Sequence, residues 1–134
     1  MGAVDFIKGF VNALPVSPYV VLISMQLLLI ILGMLIDPGG IIMICTPVFV
    51  PIIKSLGFDP VWFGVLFIIN MEMGYLTPPF GFNLFYMKGI APPSVSMVDI
   101  YKSVIPFVLI QIFFMAVIII FPELALWLPR LLIK

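Results

Sequence analysis

The sequence has 134 residues, of which 64% are hydrophobic and 9% charged, with six acidic residues balanced by six basic ones. Soluble domains carry about 45–50% apolar and about 25% charged residues, so a water-facing fold could not cover this much hydrocarbon, and the balanced charge argues against a nucleic-acid surface. Histidine is absent and Cys45 is the single cysteine, which removes the usual general base, the common metal ligands and any intrachain disulfide, so we expect no enzyme and no cofactor.

Met1 to Phe10 carries Asp5 and Lys8 without the charged-then-apolar layout and small-residue cleavage site of a signal peptide, and no processed leader is expected. Asp5 to Leu14 reads either as a short amphipathic lead-in at a membrane interface or as a loop ahead of Pro15 and Pro18. Beyond it, charges are so sparse that the gaps between them mark membrane segments, each needing about 20 apolar residues to cross. Tyr19 to Ile36 is such a helix. Asp37-Pro38-Gly39-Gly40 follows, with Asp37 suited to cap a helix, Pro38 to its first position and the glycines to a sharp reversal, which describes a hairpin tip.

The next apolar run, Gly40 to Ile53, is short for a crossing. If it does not cross, the tip lies inside the protein at membrane depth and its helix N-terminal amides attract anions; if it does, the same tetrapeptide is a turn in water. Pro47 and Pro51 share a helical face and bend that helix.

A third run, Pro60 to Tyr75, meets Thr77-Pro78-Pro79 before a fourth continues from Phe80 to Met87. In an unbroken helix the amides of residues 78 and 79 would bond the carbonyls of Gly74 and Tyr75, but proline has no N–H. The helix is therefore expected to stop near Tyr75 and restart with Thr77 as cap and Pro78 at its first position. Freed carbonyls and the Thr77 hydroxyl are hard oxygen ligands suited to Na+, which makes Gly74, Tyr75, Thr77, Gly81 and Asn83 the ion-binding candidates. Asp37, Gly39, Gly40, Pro78 and Pro79 are the candidates for the hairpin tip and substrate cavity. The alternative at this break is a proline kink whose carbonyls are rescued by neighbours.

Glu72 is the only acid in these two runs, open either to proton coupling or to a structural role beside Asn70 or Lys88. A polar connector from Gly89 to Ser103 leads to a last span, from about Val104 to Phe121, followed by Trp127 and Arg130 as interfacial anchors. Lys88 and Lys102 flank that connector, but Lys54, Arg130 and Lys134 dilute any charge asymmetry, so orientation stays open. No period-two alternation and no internal repeat is visible, so an all-α integral membrane fold is expected.

Taken in order, Gly33-Met34-Leu35-Ile36-Asp37-Pro38, Thr46-Pro47 with Pro51, Gly57-Phe58-Asp59-Pro60-Val61-Trp62-Phe63-Gly64, Thr77-Pro78-Pro79-Phe80-Gly81-Phe82-Asn83-Leu84-Phe85, Gly89-Ile90-Ala91 and Leu126-Trp127-Leu128-Pro129 resemble the C-terminal part of the large membrane subunit of TRAP (tripartite ATP-independent periplasmic) transporters. The resemblance runs from about Val16 to Pro129. It implies that residues 1–134 supply the second inverted repeat of an elevator-type carrier: a re-entrant helical hairpin at 19–57, a discontinuous transmembrane helix at 60–90 and a final transmembrane helix at 104–128.

It further implies import of organic acids, commonly carboxylates, on a Na+ gradient across a bacterial or archaeal cytoplasmic (inner) membrane. The implied partners are a periplasmic substrate-binding protein, a small membrane subunit and the missing N-terminal half of the large permease. A chain lacking that half is expected to be a piece of a longer polypeptide. The rival expectation is a non-transporting membrane scaffold or assembly protein made of plain spans with both breaks in water.

Overall fold

The computed structural model describes residues 15–78 and 81–132, with residues 2, 5, 6, 9 and 13 ahead of them. Most of the expected lead-in at Asp5 to Leu14, and Pro79 of the break, lie outside the described residues. Three helices begin the same way, with a side-chain oxygen acceptor followed by proline at the first helical position. They are α1 (Pro18–Leu35) behind Ser17, α2 (Pro38–Ser55) behind Asp37 and α3 (Pro60–Leu76) behind Asp59. Each cap accepts an otherwise orphaned first-turn N–H: Ser17 Oγ from Val20 at 3.4 Å, Asp37 Oδ2 from Gly40 at 3.1 Å and Asp59 Oδ1 from Val61 at 2.7 Å. The chain continues as α4 (Phe82–Ile90), α5 (Met97–Ile120) and α6 (Glu123–Leu132).

The fold is thus all-α: a helical hairpin, a helix interrupted between α3 and α4, and a long final apolar helix. Among the described residues, α1, α2 and α5 are long and apolar enough to cross a membrane. The second arm is longer than its apolar run, because Pro38, Gly39, Lys54 and Ser55 are helical as well. Helix α5 also starts earlier than its apolar run, at Met97, because Ser96 and Asp99 form a reciprocal capping box. Pro122 ends it and α6 turns away, with Arg130 donating to Glu123 across two turns.

Helices α1 and α3 run parallel, since contacts advance together along both. The Tyr19 and Phe58 rings meet at 5.2 Å, Asn70 bonds Gln26, and Gly74 meets Gly33. Helix α2 returns alongside the pair and packs against both. Leu22, Leu29, Ile53, Phe63 and Leu66 are at most 1% exposed and form the centre of the packed core.

Helix α5 lies antiparallel to α3 and is anchored at its far end by Trp62, whose Nε1 donates to the Ile118 carbonyl at 2.9 Å. That carbonyl would ordinarily receive the N–H of residue 122, which is proline, so the indole supplies the donor that the helix lacks. Trp62→Phe keeps most of the buried ring but orphans the carbonyl, and is expected to cost about 1–3 kcal/mol. The check is a lowered thermal midpoint in detergent, set against Trp127→Phe, whose ring is exposed and should change little.

Candidate functional site

The interruption of α3 follows from proline chemistry but differs in detail from the sequence expectation. Pro78 holds Thr77 extended (φ −93°, ψ 123°), yet α3 continues through Leu76, because the Thr77 N–H closes a tighter bond to the Gly74 carbonyl at 3.2 Å. Gly74 O is therefore not freed. Thr77 caps the end of α3 rather than the start of α4, and its hydroxyl turns back to donate to the Met73 carbonyl at 2.6 Å. Tyr75 differs: neither Pro78 nor Pro79 has an N–H to offer its carbonyl.

Helix α4 begins at Phe82 rather than Pro78, with Gly81 at its N-cap and no side chain capping its first turn. The Gly81 N–H donates to Thr77 O at 3.2 Å, which folds the chain back over the end of α3. A Cβ on Gly81 would collide with the Tyr75 carbonyl and come within 3.1 Å of Thr77 O. Only glycine permits the new helix to start this close to the end of the old one.

The hairpin tip sits beside this break. Gly33, in the last turn of α1, and Gly74, in the last turn of α3, touch backbone to backbone: a Cβ on Gly74 would lie 2.9 Å from Gly33 Cα and 3.0 Å from its carbonyl carbon. That approach carries Pro38 to a cavity of about 340 Å³ shared with Ile42, Met71, Glu72, Tyr75 and Asn83. Asp37 and Tyr86 lie within electrostatic reach of the Tyr75 phenol.

The structure thus gathers Pro38, Tyr75 and Asn83 on one cavity, with Asp37 near its edge and Glu72, the lone acid of α3, in its wall. It does not bring every candidate there. Thr77 and Pro78 border a separate groove of about 190 Å³ against Val104, Ile105, Val108 and Leu109 of α5. Gly39 and Gly40 pack against the Asp37 carboxylate, which already holds the Gly40 N–H. The positive end of α2 is consequently met by its own carboxylate, and suits a nearby cation better than an anion. Lys88, one partner considered for Glu72, donates to the Val95 carbonyl at 2.5 Å.

Two features have no counterpart among the sequence candidates. One is Gly33, whose signal was a lone glycine within a run of large apolar residues. The other is a buried amide pair: Asn70 Nδ2 donates to Gln26 Oε1 at 2.7 Å and to the Gln26 carbonyl at 2.9 Å. Gln26 is the only amide in the first apolar run, and that isolation was the signal available for it.

Comparison with known proteins agrees with this architecture. Residues 2–124 match the family model described as tripartite ATP-independent periplasmic transporter, DctM component. The chain is 36% identical over 116 residues to a C4-dicarboxylate TRAP transporter large permease protein of Vibrio cholerae, covering 87% of this chain and 25% of that protein. It is 36% identical over 108 residues to the 2,3-diketo-L-gulonate TRAP transporter large permease protein of Escherichia coli, covering 81% of this chain and 25% of that protein. A sialic acid TRAP transporter permease protein of Haemophilus influenzae is 38% identical over 117 residues, covering 87% of this chain and 19% of that protein. The chain therefore spans a quarter or less of the length of these relatives.

Proposed function

The chain belongs to the family of the DctM component of tripartite ATP-independent periplasmic transporters, and from that premise we propose that it is a C-terminal transport-domain segment of a large permease that imports organic acids on a Na+ gradient. The solutes named for the three relatives are all organic acids, carboxylates among them. In this reading the remainder of the large permease completes the cavity, a small membrane subunit supports it and a periplasmic binding protein delivers the solute. The setting is the cytoplasmic (inner) membrane.

One observation carries the reading: the break and the hairpin tip share a level well inside the longest span. Thr77 and Pro78 pack against Val104 to Leu109 of α5. Those residues lie about 10–18 Å along that helix from its start at Met97. Gly33 against Gly74 and Pro38 beside Tyr75 hold the tip at the same level. If α5 crosses the bilayer, both interruptions lie at membrane depth, where irregular backbone persists only when it is buried in protein or lines a cavity, and here Pro38, Tyr75 and Asn83 share one.

The chemistry on the two sides of the break is complementary to the proposed cargo. The C-terminal end of α3 contributes negative dipole and the Tyr75 carbonyl, to which neither Pro78 nor Pro79 can donate, with Asp37 nearby, and these suit Na+; the Thr77 hydroxyl adds an oxygen on the side of the break that faces α5. The N-terminus of α4, free of a capping side chain, suits a carboxylate, with Asn83 in its first turn.

The test is thiol accessibility in membranes, using the full-length permease with Cys45→Ala and single cysteines at Gly39, Phe82 and Ser94. Ser94 is expected to react rapidly from one side with an impermeant reagent, while Gly39 and Phe82 react slowly and are protected by Na+ or an organic acid. Rapid, ligand-independent labelling of all three would reject the reading and favour a scaffold of plain spans.

A further inference from the structure

Gln26 and Asn70 lie in the α1–α3 interface, seven residues before Gly33 and four before Gly74, with exposures of 3% and 0%. Their bonds leave Gln26 Nε2 and Asn70 Oδ1 buried without a partner. A buried amide with an unpaired end is a poor source of stability, since apolar residues of similar shape in both positions would pack there without any desolvation penalty. The pair's neighbours along the interface, Leu22, Met25 and Leu29 on α1 and Phe63, Leu66 and Phe67 on α3, are apolar and would tolerate a slip of one helical turn, about 5.4 Å.

Such a slip would set Gly33 against Asn70 or Pro78, neither of which permits a backbone-to-backbone approach, and would draw the tip away from the break. Asn70 Nδ2 reaches both the side-chain and the main-chain oxygen of Gln26 in only one register. We propose that the Gln26–Asn70 pair is a positioning element: it fixes the register of α1 on α3 and, through Gly33 and Gly74, the spacing between hairpin tip and broken helix on which ion affinity depends. The last step rests on the transport reading above, whereas the register itself does not. The same logic operates where one polar residue in an apolar helix seam selects register at the expense of stability.

The decisive variant is Gln26→Leu combined with Asn70→Leu in the full-length permease, since removing one partner alone would bury an unpaired amide and confuse the result. Spin labels on the exposed positions Ile31 and Ile68, in a Cys45→Ala background, report register as an interhelical distance distribution. The double variant is expected to melt at or above the wild-type temperature, while its distribution broadens or moves by up to about 5 Å, the rise of one helical turn. The Na+ concentration for half-maximal transport should rise about tenfold or more.

Exchanging the residues, Gln26→Asn with Asn70→Gln, should recover the narrow distribution. A double variant that keeps the wild-type distribution overturns the proposal, whatever its stability or transport. A displaced distribution with unchanged Na+ activation upholds the register role and instead rejects the transport reading of the tip and break.

Discussion

Replacing Gly74 by alanine is expected to abolish most transport by the full-length permease and to lower its thermal midpoint, although only one methyl group is added. The new Cβ would stand 2.9 Å from Gly33 Cα and 3.0 Å from its carbonyl carbon. Both are backbone atoms in a packed helix, so no rotamer change relieves the contact and the two helices must separate. Overpacking of this kind costs about 1–3 kcal/mol, and here it acts where the tip is held against the break. Gly33→Ala is expected to be milder, because its nearest contact is Gly74 Cα at 3.3 Å. Gly64→Ala, with nothing within 4 Å of the added Cβ, is the neutral control. If Gly74→Ala transports and melts like Gly64→Ala, the helix contact has no bearing on function.

Thr77→Val is expected to raise the Na+ concentration for half-maximal transport about tenfold or more with little change in the amount of protein in the membrane. Valine is nearly isosteric and is tolerated in the extended conformation that Pro78 imposes on this position, so the fold keeps its shape. What disappears is the hydroxyl, which donates to the Met73 carbonyl and whose oxygen carries lone pairs that can face a cation. Bonds to charged groups contribute about 1.5–3 kcal/mol, and each 1.4 kcal/mol is a factor of ten in affinity. Thr77→Ser retains the oxygen and should stay near wild type. The measurement is solute uptake into proteoliposomes against Na+ concentration. A Thr77→Val curve that overlays the wild type removes Thr77 from the proposed ion site.

The fold could be read to a large extent from short-range features. Ser17-Pro18, Asp37-Pro38 and Asp59-Pro60 each announce a helix start, because cap and proline act within one turn and need no tertiary partner. The interruption at Thr77 was equally legible, since a missing N–H is a covalent fact. Its detail was not. The sequence predicted a restart at Pro78, whereas the chain adds the Thr77 to Gly74 bond and the Gly81 to Thr77 bond before α4 begins at Phe82. The first of these pairs the Gly74 carbonyl, which Pro78 cannot reach with an N–H.

The amino-acid sequence by itself determined a membrane solvent, the helices, their caps and the position of the break, because composition, capping oxygens and proline act locally and in any surroundings. Tertiary structure alone decided which of these local features meet. The contact of Gly33 with Gly74, the bonding of Asn70 to Gln26, the repair of Ile118 by Trp62, and the separation of Thr77 from the cavity that holds Tyr75 and Asn83 all join distant residues or depend on the rotation of whole helices. That rotation is fixed by packing across helix interfaces, where one glycine and one amide in an otherwise apolar surface outweigh many interchangeable leucines and isoleucines.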